Sequence, residues 1–451
     1  MQLRQKKSQR GQIAVLVGIL MIVLVGFAGL AVDSGRAFGV KAKLNGAVDA
    51  AGIAAARALA QGATDDARIA AAQDAANSYY SANFPNNYLG AELSAPSVSV
   101  VHNPDGYWQV DVSGSATMPV TLMSVLGFTD LSVTATGQTI RRDLDIILVL
   151  DTSGSLGPPT SSSSTLPTLK NAAINYFVNM FNAGSNGDRV GLVSFASGAV
   201  VDVPIVKNGS RGFNRTQVVN AINALTVTGS TASAEGMRVA VNEINGVPVL
   251  NRSSLRMIVF FSDGAPNNVP ATFANGGSSV TGDLYSETEG PASTRTTRVY
   301  RNDRRDTTLT TTSNIASLPN TGFMINGVGN IPLASYNNKR TLTGSPYTNN
   351  RCNVNKASRN MLENVANTAR GQNIKIYSIG LGARVNSLEI DFCSYGSAEN
   401  GSNILSRMAN VSGVDTYNAA QPSGLYVWAA NASDLENAFS TIASEILRLS
   451  R

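Results

Sequence analysis

The sequence predicts an α/β protein: a doubly wound, mostly parallel sheet with helices on both faces, preceded by a single transmembrane helix and a small α+β domain. Three stretches carry that prediction. Leu144-Asp145-Ile146-Ile147-Leu148-Val149-Leu150 is nearly continuous in aliphatic side chains, and Met257-Ile258-Val259-Phe260-Phe261 repeats the pattern. Continuous rather than alternating apolar runs belong to strands covered on both faces, the condition of a parallel sheet wrapped by helices. The third stretch, Ile13 to Val32, is an uncharged apolar run of about 20 residues, the length that carries a helix across a bilayer.

Composition limits what else the chain can be. With 43% hydrophobic and 14% charged residues over 451 positions, it has material for more than one core and is not a disordered chain. Arg4, Lys6, Lys7 and Arg10 supply four of the five net positive charges, so the basicity belongs to the membrane end and no nucleic-acid partner is expected. These cations precede the apolar run and Asp33 follows it. The positive-inside rule then puts the N-terminus in the cytoplasm and the bulk of the chain in the periplasm or beyond, on a single-pass anchor in the inner membrane. A cleaved signal peptide is the competing reading, but its apolar core is usually about 7–15 residues.

Residues 1–61 are expected to continue beyond the membrane as one helix, because Ala47, Ala50, Ala51, Ala54 and Ala58 fall at helical spacing. Such an Ala/Gly stripe lets a neighbouring helix approach closely, and helix–helix association is expected there. Arg10-Gly11-Gln12-Ile13-Ala14-Val15, the apolar run, Ala31-Val32-Asp33-Ser34-Gly35-Arg36 and Asn45-Gly46-Ala47-Val48-Asp49-Ala50-Ala51 together resemble the N-termini of TadE/TadG-like proteins of bacterial tight-adherence (Flp) pilus systems. Pilin-like relatives cut by prepilin peptidase carry Glu at the fifth position after the glycine. Leu16 stands there in this chain, which argues against processing at Gly11.

Residues 62–142 are expected to form a small stalk domain, pilin-like in outline. Ile69, Ala72, Ala76 and Tyr79 mark a helix from Thr64 to Asn83. Val98 to Val101 and Trp108 to Val112 read as strands flanking Asn103-Pro104-Asp105-Gly106, whose Pro and Gly suit a tight hairpin turn, and Leu131 to Thr139 reads as a third. His102, the sole histidine, has no partners in the sequence that would make it a metal ligand or a base.

The apolar run at 144–150 leads straight into Asp151-Thr152-Ser153-Gly154-Ser155. Spaced by two, Asp151, Ser153 and Ser155 can turn one carboxylate and two hydroxyls toward a single point, a donor set for a hard cation such as Mg²⁺. They lie at the carboxyl end of a strand, where open parallel sheets hold ligands. Gly229-Ser230-Thr231 offers another hydroxyl ahead of a helical pattern, and the second apolar run ends in Ser262-Asp263-Gly264. In that order the pieces resemble the metal-ion-dependent adhesion site of von Willebrand factor A domains, also called integrin I domains. The resemblance extends from Asp143 to Arg451. It implies that Asp151, Ser153 and Ser155 form the metal loop, that Thr231 completes it, that Asp263 acts directly or through water, and that the cofactor is Mg²⁺, Mn²⁺ or Ca²⁺.

Within residues 143–451, the Pro- and Ser-rich stretch Leu156 to Thr165 delays the next helix to about Pro167, with Leu169, Ala173, Tyr176, Phe177 and Met180 as its core face. Val190 to Phe195 is expected as a strand, Val200 to Val206 as an edge strand, and Thr216 to Leu225 and Thr231 to Ile244 as helices. From Ala265 to about Lys356 the pattern stops, in an insertion rich in Ser, Thr, Asn and Gly that should project over the metal face. Its Arg295, Arg298, Arg301, Arg304 and Arg305, interleaved with Asp303 and Asp306, read as a solvated, partly self-neutralised surface rather than an anion-binding patch. A helix at Ala357 to Ala369, a strand at Ile374 to Leu381, a helix at Ile404 to Asn410 and short strands at Thr416 to Ala419 and Leu425 to Ala429 follow. Ser433 and Glu436 then suit a capping box for the last helix. Cys352 and Cys393, the only cysteines, read as a disulfide in an oxidising compartment, with two free thiols as the alternative.

No enzyme is expected. The chain has no GxxxxGKS/T loop, no Cys/His cluster for zinc, and no histidine near Ser153 or Ser155 to activate a nucleophile. The expected function is a membrane-anchored adhesion or assembly protein of a Tad (Flp) pilus system, binding an acidic residue of a pilus or envelope partner through the metal. The alternative is a periplasmic A-domain scaffold or chaperone-like assembly factor unrelated to pili.

Overall fold

A computed structural model describes residues 10–59, 64–103, 107–157, 164–181, 183, 187–208, 211–286, 298–311, 314–386, 393 and 400–450, with the backbone alone at 10–12, 125 and 126. The turn expected at 104–106, the boundary at Gly62, most of the Pro- and Ser-rich stretch (158–163) and Arg295 lie outside the described residues. The chain divides after Arg141 into two compact units.

The first unit is built on one 49-residue helix, α1 (Arg10–Ala58), followed by α2 (Asp65–Asn83). With no proline in its length and Ala throughout its second half, α1 runs unbroken from the apolar segment into the folded unit. It is long and apolar enough to cross a membrane. Thr64 starts α2, its hydroxyl accepting the Ala67 N–H. Strands β1 (Glu92–Leu93), β2 (Ser97–Asn103), β3 (Tyr107–Pro119) and β4 (Asp130–Arg142) make a sheet in which β3 pairs antiparallel with β1 and β2 and also pairs with β4. Alternate residues of β3, among them Trp108, Val110, Val112, Ala116 and Met118, are buried. They pack with Leu44, Ala47, Ala51 and Ala55 of α1 and Ala72, Ala76 and Tyr80 of α2. The alanine stripe expected to receive a neighbouring helix is therefore covered within the chain, because α2 folds back along it. His102 has partners: its Nδ1 is 3.1 Å from Asp65 Oδ2, which is distant in sequence, and its ring stacks on Trp108, its cross-strand neighbour in the β2–β3 pair.

The second unit opens with β5 (Leu144–Asp151), α3 (Leu166–Asn175), β6 (Arg189–Phe195), β7 (Ala199–Val203), α4 (Arg215–Asn223), α5 (Ser233–Asn245) and β8 (Leu255–Ser262). The insertion follows as β9 (Asn268–Asn275), β10 (Ser278–Tyr285), β11 (Val299–Tyr300), β12 (Thr308–Thr310), β13 (Ser317–Leu318), β14 (Thr321–Ile325), β15 (Gly329–Pro332) and β16 (Tyr347–Thr348). The unit ends with α6 (Arg351–Gly371), β17 (Ile374–Leu381), α7 (Gly382–Asn386), α8 (Gly401–Met408), β18 (Tyr426–Ala429) and α9 (Leu435–Leu449). Six strands form the main sheet in the order β18-β17-β8-β5-β6-β7, parallel except for the antiparallel edge strand β7. Helices α3, α4 and α9 cover one face and α5, α6 and α8 the other. Every residue of β5 is buried, as a continuous apolar run in a central strand requires.

Five local expectations in this unit are corrected. The insertion is not patternless: β9 to β12 form a four-stranded antiparallel sheet, and two further strand pairs follow. Val269, Ala271, Phe273 and Leu284 of that sheet join the core shared with Met237 of α5 and Met361 of α6. The sheet's hairpin turns at Gly276 and Gly277, both at positive φ (56° and 88°), the geometry of a two-residue turn that matches strand twist. Second, α3 ends at Asn175, and the 3-10 turn Val178–Met180 changes the phase. Tyr176 and Met180 consequently face solvent, and Val178 and Phe181 take the core positions. Third, the stretch 416–419 forms no strand, since Asn410 pins its backbone from both sides, donating to the Asn418 carbonyl and accepting the Asn418 N–H. Fourth, the capping box falls at Asn431 and Asp434 rather than at Ser433 and Glu436. Helix α6 also starts earlier than its apolar pattern, at Arg351, because Asn350 caps it through the Asn353 N–H.

Candidate metal centre

The site forms where β5 and β8, neighbours in a parallel sheet, both end. Their register sets Leu150 opposite Phe261, so Asp151 and Ser262 stand level at the carboxyl edge. Ser262 Oγ donates to Asp151 Oδ2 at 2.6 Å and the Ser153 N–H donates to Asp151 Oδ1 at 2.8 Å, which fixes the carboxylate in one orientation. Ser153 and Ser155 hydroxyls lie 3.0 Å apart, and Ser155 Oγ donates to Asp263 Oδ1 at 2.7 Å. Asp151, Ser153, Ser155 and Asp263 thus form one connected cluster. Asp151 and Ser153 are buried while Ser155 is exposed, so the cluster has a closed floor and an open lip.

The loop that carries Thr231 is tied to the Asp151–Ser155 loop by backbone contacts. The Gly154 N–H donates to the Gly229 carbonyl at 3.1 Å, and the Thr228 N–H to the Thr152 carbonyl at 2.9 Å. The Thr231 N–H is held by Asn267 Oδ1 at 2.8 Å. Behind this loop, the Ser230 N–H and hydroxyl both donate to Ser197 Oγ. Ser197 in turn donates to Asp306 Oδ1, whose second oxygen accepts the Thr228 hydroxyl at 2.6 Å. The insertion therefore reaches the face that carries the cluster and braces the Thr231 loop through Asn267 and Asp306. Around it, Arg301 pairs with Asp303 and Arg305 with Asp202, a largely self-neutralised surface.

The electrostatics of the cluster favour a cation. Burial, then the neighbouring Asp263 charge, pushes the Asp151 carboxyl up to about 7 against the opposing hydrogen bonds from Ser153 and Ser262. Burial also raises Asp263, offset by the Ser155 hydrogen bond and by the charge of Arg384 on α7. The hydrogen bonds on Asp151 come from neutral donors alone. Two ionised carboxylates at such a spot need a positive partner, and the donors present are all oxygen, the chemistry that suits Mg²⁺, Mn²⁺ or Ca²⁺. Among the described residues no group of three or more His, Cys, Asp or Glu could hold a metal, so hydroxyls must complete any coordination here.

Sequence reasoning missed Ser262, Asn267, Ser197, Asp306 and Arg384. Ser262 was findable, since it precedes Asp263 at the end of the second apolar run. The other four act across loops that only the fold brings together. Cys352, near the start of α6, is disulfide-bonded to Cys393, with Cα atoms 5.4 Å apart. The bond ties the end of the insertion to the segment beyond α7.

Residues 146–265 match the von Willebrand factor type A domain family, a span that contains all five candidate ligands. Residues 11–58 match the Flp pilus-assembly TadE/G-like family. No curated protein sequence matches the chain. Among solved structures, the PilB minor pilin from Streptococcus sanguinis is 16% identical with a TM-score of 0.39, over 80% of this chain and 79% of that one. The vWF domain of the type V pili tip protein Mfa5 from Porphyromonas gingivalis is 16% identical with a TM-score of 0.40, over 69% and 98%. Proximal thread matrix protein 1 from the mussel byssus, solved with a zinc-occupied MIDAS motif, is 13% identical with a TM-score of 0.33, over 69% and 46%. The chain carries a TadE/G-like N-terminal segment and a von Willebrand factor type A domain.

Proposed function

We propose that this protein is a membrane-anchored adhesion or assembly component of a tight-adherence (Flp) pilus system, and that its C-terminal unit docks an acidic residue of a pilus or envelope partner at a divalent metal. One observation carries the reading: two buried carboxylates, Asp151 and Asp263, meet two serine hydroxyls at the open edge of the sheet in a chain whose N-terminal helix is TadE/G-like. Asp151, Ser153, Ser155 and Thr231 would hold the ion, with Asp263 binding it directly or through water. Bound there, a cation such as Mg²⁺ supplies a positive centre to an incoming carboxylate. The exposed Ser155 leaves the approach open, and the fixed Asp151 carboxylate needs no reorientation. The role is non-enzymatic. The anchor is an inner-membrane span with its N-terminus in the cytoplasm, and many copies along a membrane or pilus turn weak docking into firm attachment.

Cross-linking in intact cells tests this. Asp151→Ala, or chelation of divalent ions, is expected to abolish partner capture and surface attachment while the protein stays folded and membrane-bound. A folded mutant that captures its partners as well as the parent overturns the metal-docking reading in favour of a scaffold.

A further inference from the structure

At the far end of the apolar run of α1, the loop between β3 and β4 lies against the helix. A methyl group built on Gly29 would sit 2.7 Å from the Leu122 Cβ, so the glycine is what lets loop and helix meet. One turn on, the fully buried Asp33 accepts the backbone N–H groups of Thr121, Leu122 and Met123 at 2.9, 3.0 and 3.0 Å. Arg36 pairs with Asp33 at 3.4 Å and donates to the Leu89 carbonyl at 2.7 Å. The loop's polar backbone is thus turned inward onto Asp33. Its sequence, Val-Thr-Leu-Met-Ser-Val-Leu-Gly-Phe at 120–128, carries no charge, and Phe128 is 54% exposed. Leu89, whose carbonyl Arg36 holds, is 43% exposed, and Phe38 further along α1 is 81% exposed.

This arrangement is what a lipid-facing loop needs. Backbone donors near hydrocarbon must be satisfied within the protein, and a carboxylate there must be paired. Gly29 and Asp33, the residues the loop meets, lie at the end of the apolar run 13–32, so the loop stands level with the end of the proposed membrane span. We propose that loop 120–128 is a second membrane contact, seated with Phe128 and Leu122 in the headgroup–acyl boundary of the leaflet through which α1 leaves the bilayer. The inference rests on reading 13–32 as a membrane span. It makes the first unit lie on the bilayer at its base, fixed at two points rather than swivelling on one helix.

Spin-label accessibility distinguishes the cases. The full chain, in nanodiscs of phosphatidylethanolamine and phosphatidylglycerol, carries a single labelled cysteine at Phe128→Cys, Thr129→Cys, Leu24→Cys or Asp66→Cys; Cys352 and Cys393, being bonded, take no label. Thr129→Cys leaves every apolar side chain of the loop in place, so the test survives a misfolded Phe128 variant. Positions 128, 129 and 24 are expected to favour oxygen over a soluble nickel chelate several-fold more than position 66. A water-like loop with a bilayer-like position 24 overturns the contact and leaves the span standing. A water-like position 24 overturns the span and the contact together. Shielding of 128 and 129 from both reagents marks a protein neighbour and overturns the lipid assignment.

Discussion

The parallel sheet and the insertion of the second unit share one core but are written differently. β5 and β8 are apolar at almost every position because helices cover both faces. β9 and β10 sit in a stretch of Ser, Thr, Asn and Gly; β9 is buried throughout its first half, Asn268 to Ala271, and alternates only in its second, where buried Phe273 stands between exposed Thr272 and Ala274. One buried face suffices to make an antiparallel sheet part of a core. A polar composition therefore does not say whether a strand is ordered.

The largest expected effects are on stability. Phe260→Ala in the main sheet is expected to cost about 3–5 kcal/mol, and Phe273→Ala in the insertion about the same, since both side chains are fully buried in one cluster. Urea midpoints at constant slope measure this; a loss below about 1 kcal/mol for Phe273→Ala would separate the insertion from the core.

Metal binding sharpens the difference between the ends of the two regions. At a free ion concentration about 100-fold above Kd, Mg²⁺ or Mn²⁺ is expected to stabilise the protein by about 2.7 kcal/mol, raising Tm, and Asp151→Ala to remove the shift. Because Asp151 is pushed up to about 7, affinity should fall about tenfold per pH unit below that value and level off above it. Without metal the sign reverses. The folded state holds a proton on Asp151 that the unfolded chain gives up near pH 4, so stability should decline by about 1.4 kcal/mol per unit between about 4 and 7. Denaturation at several pH values, with chelator and with metal, reads both slopes.

The insertion contains its own buried carboxylate. Asp283 on β10 is fully buried, neither oxygen has a hydrogen-bond partner, and burial followed by the Glu235 charge pushes its carboxyl well above the usual range. Asp283→Leu is therefore expected to stabilise the protein at neutral pH by about 1–3 kcal/mol, by removing an unsatisfied polar group. Destabilisation in the same denaturation assay would mean that the carboxylate is needed there. The smallest effect falls on the link between the regions. Asn267→Ala removes the acceptor that holds the Thr231 N–H, and should weaken metal binding about tenfold with little loss of stability. Calorimetric titration with Mn²⁺ would show it, and an unchanged Kd would separate the insertion from the site.

What the sequence determined by itself is whatever depends on neighbours along the chain. The apolar runs of β5 and β8, the unbroken α1, and Asp151, Ser153 and Ser155 at two-residue spacing were legible because each depends on local periodicity and local geometry. The paired glycines at 276 and 277 were an equally local signal, but the composition around them masked it. Tertiary structure decided the rest. The phase of the chain after Asn175, which exposes Tyr176 and Met180, follows from where α3 stops against the core. The closing of α2 over the alanine stripe depends on a contact between two helices. Ser262 beside Asp151, Asn267 behind Thr231, and Asp306 bracing Ser197 and Thr228 join residues that lie between 36 and 111 positions apart. No spacing rule spans such separations, because the energy that sets them comes from burying both faces of the sheet at once.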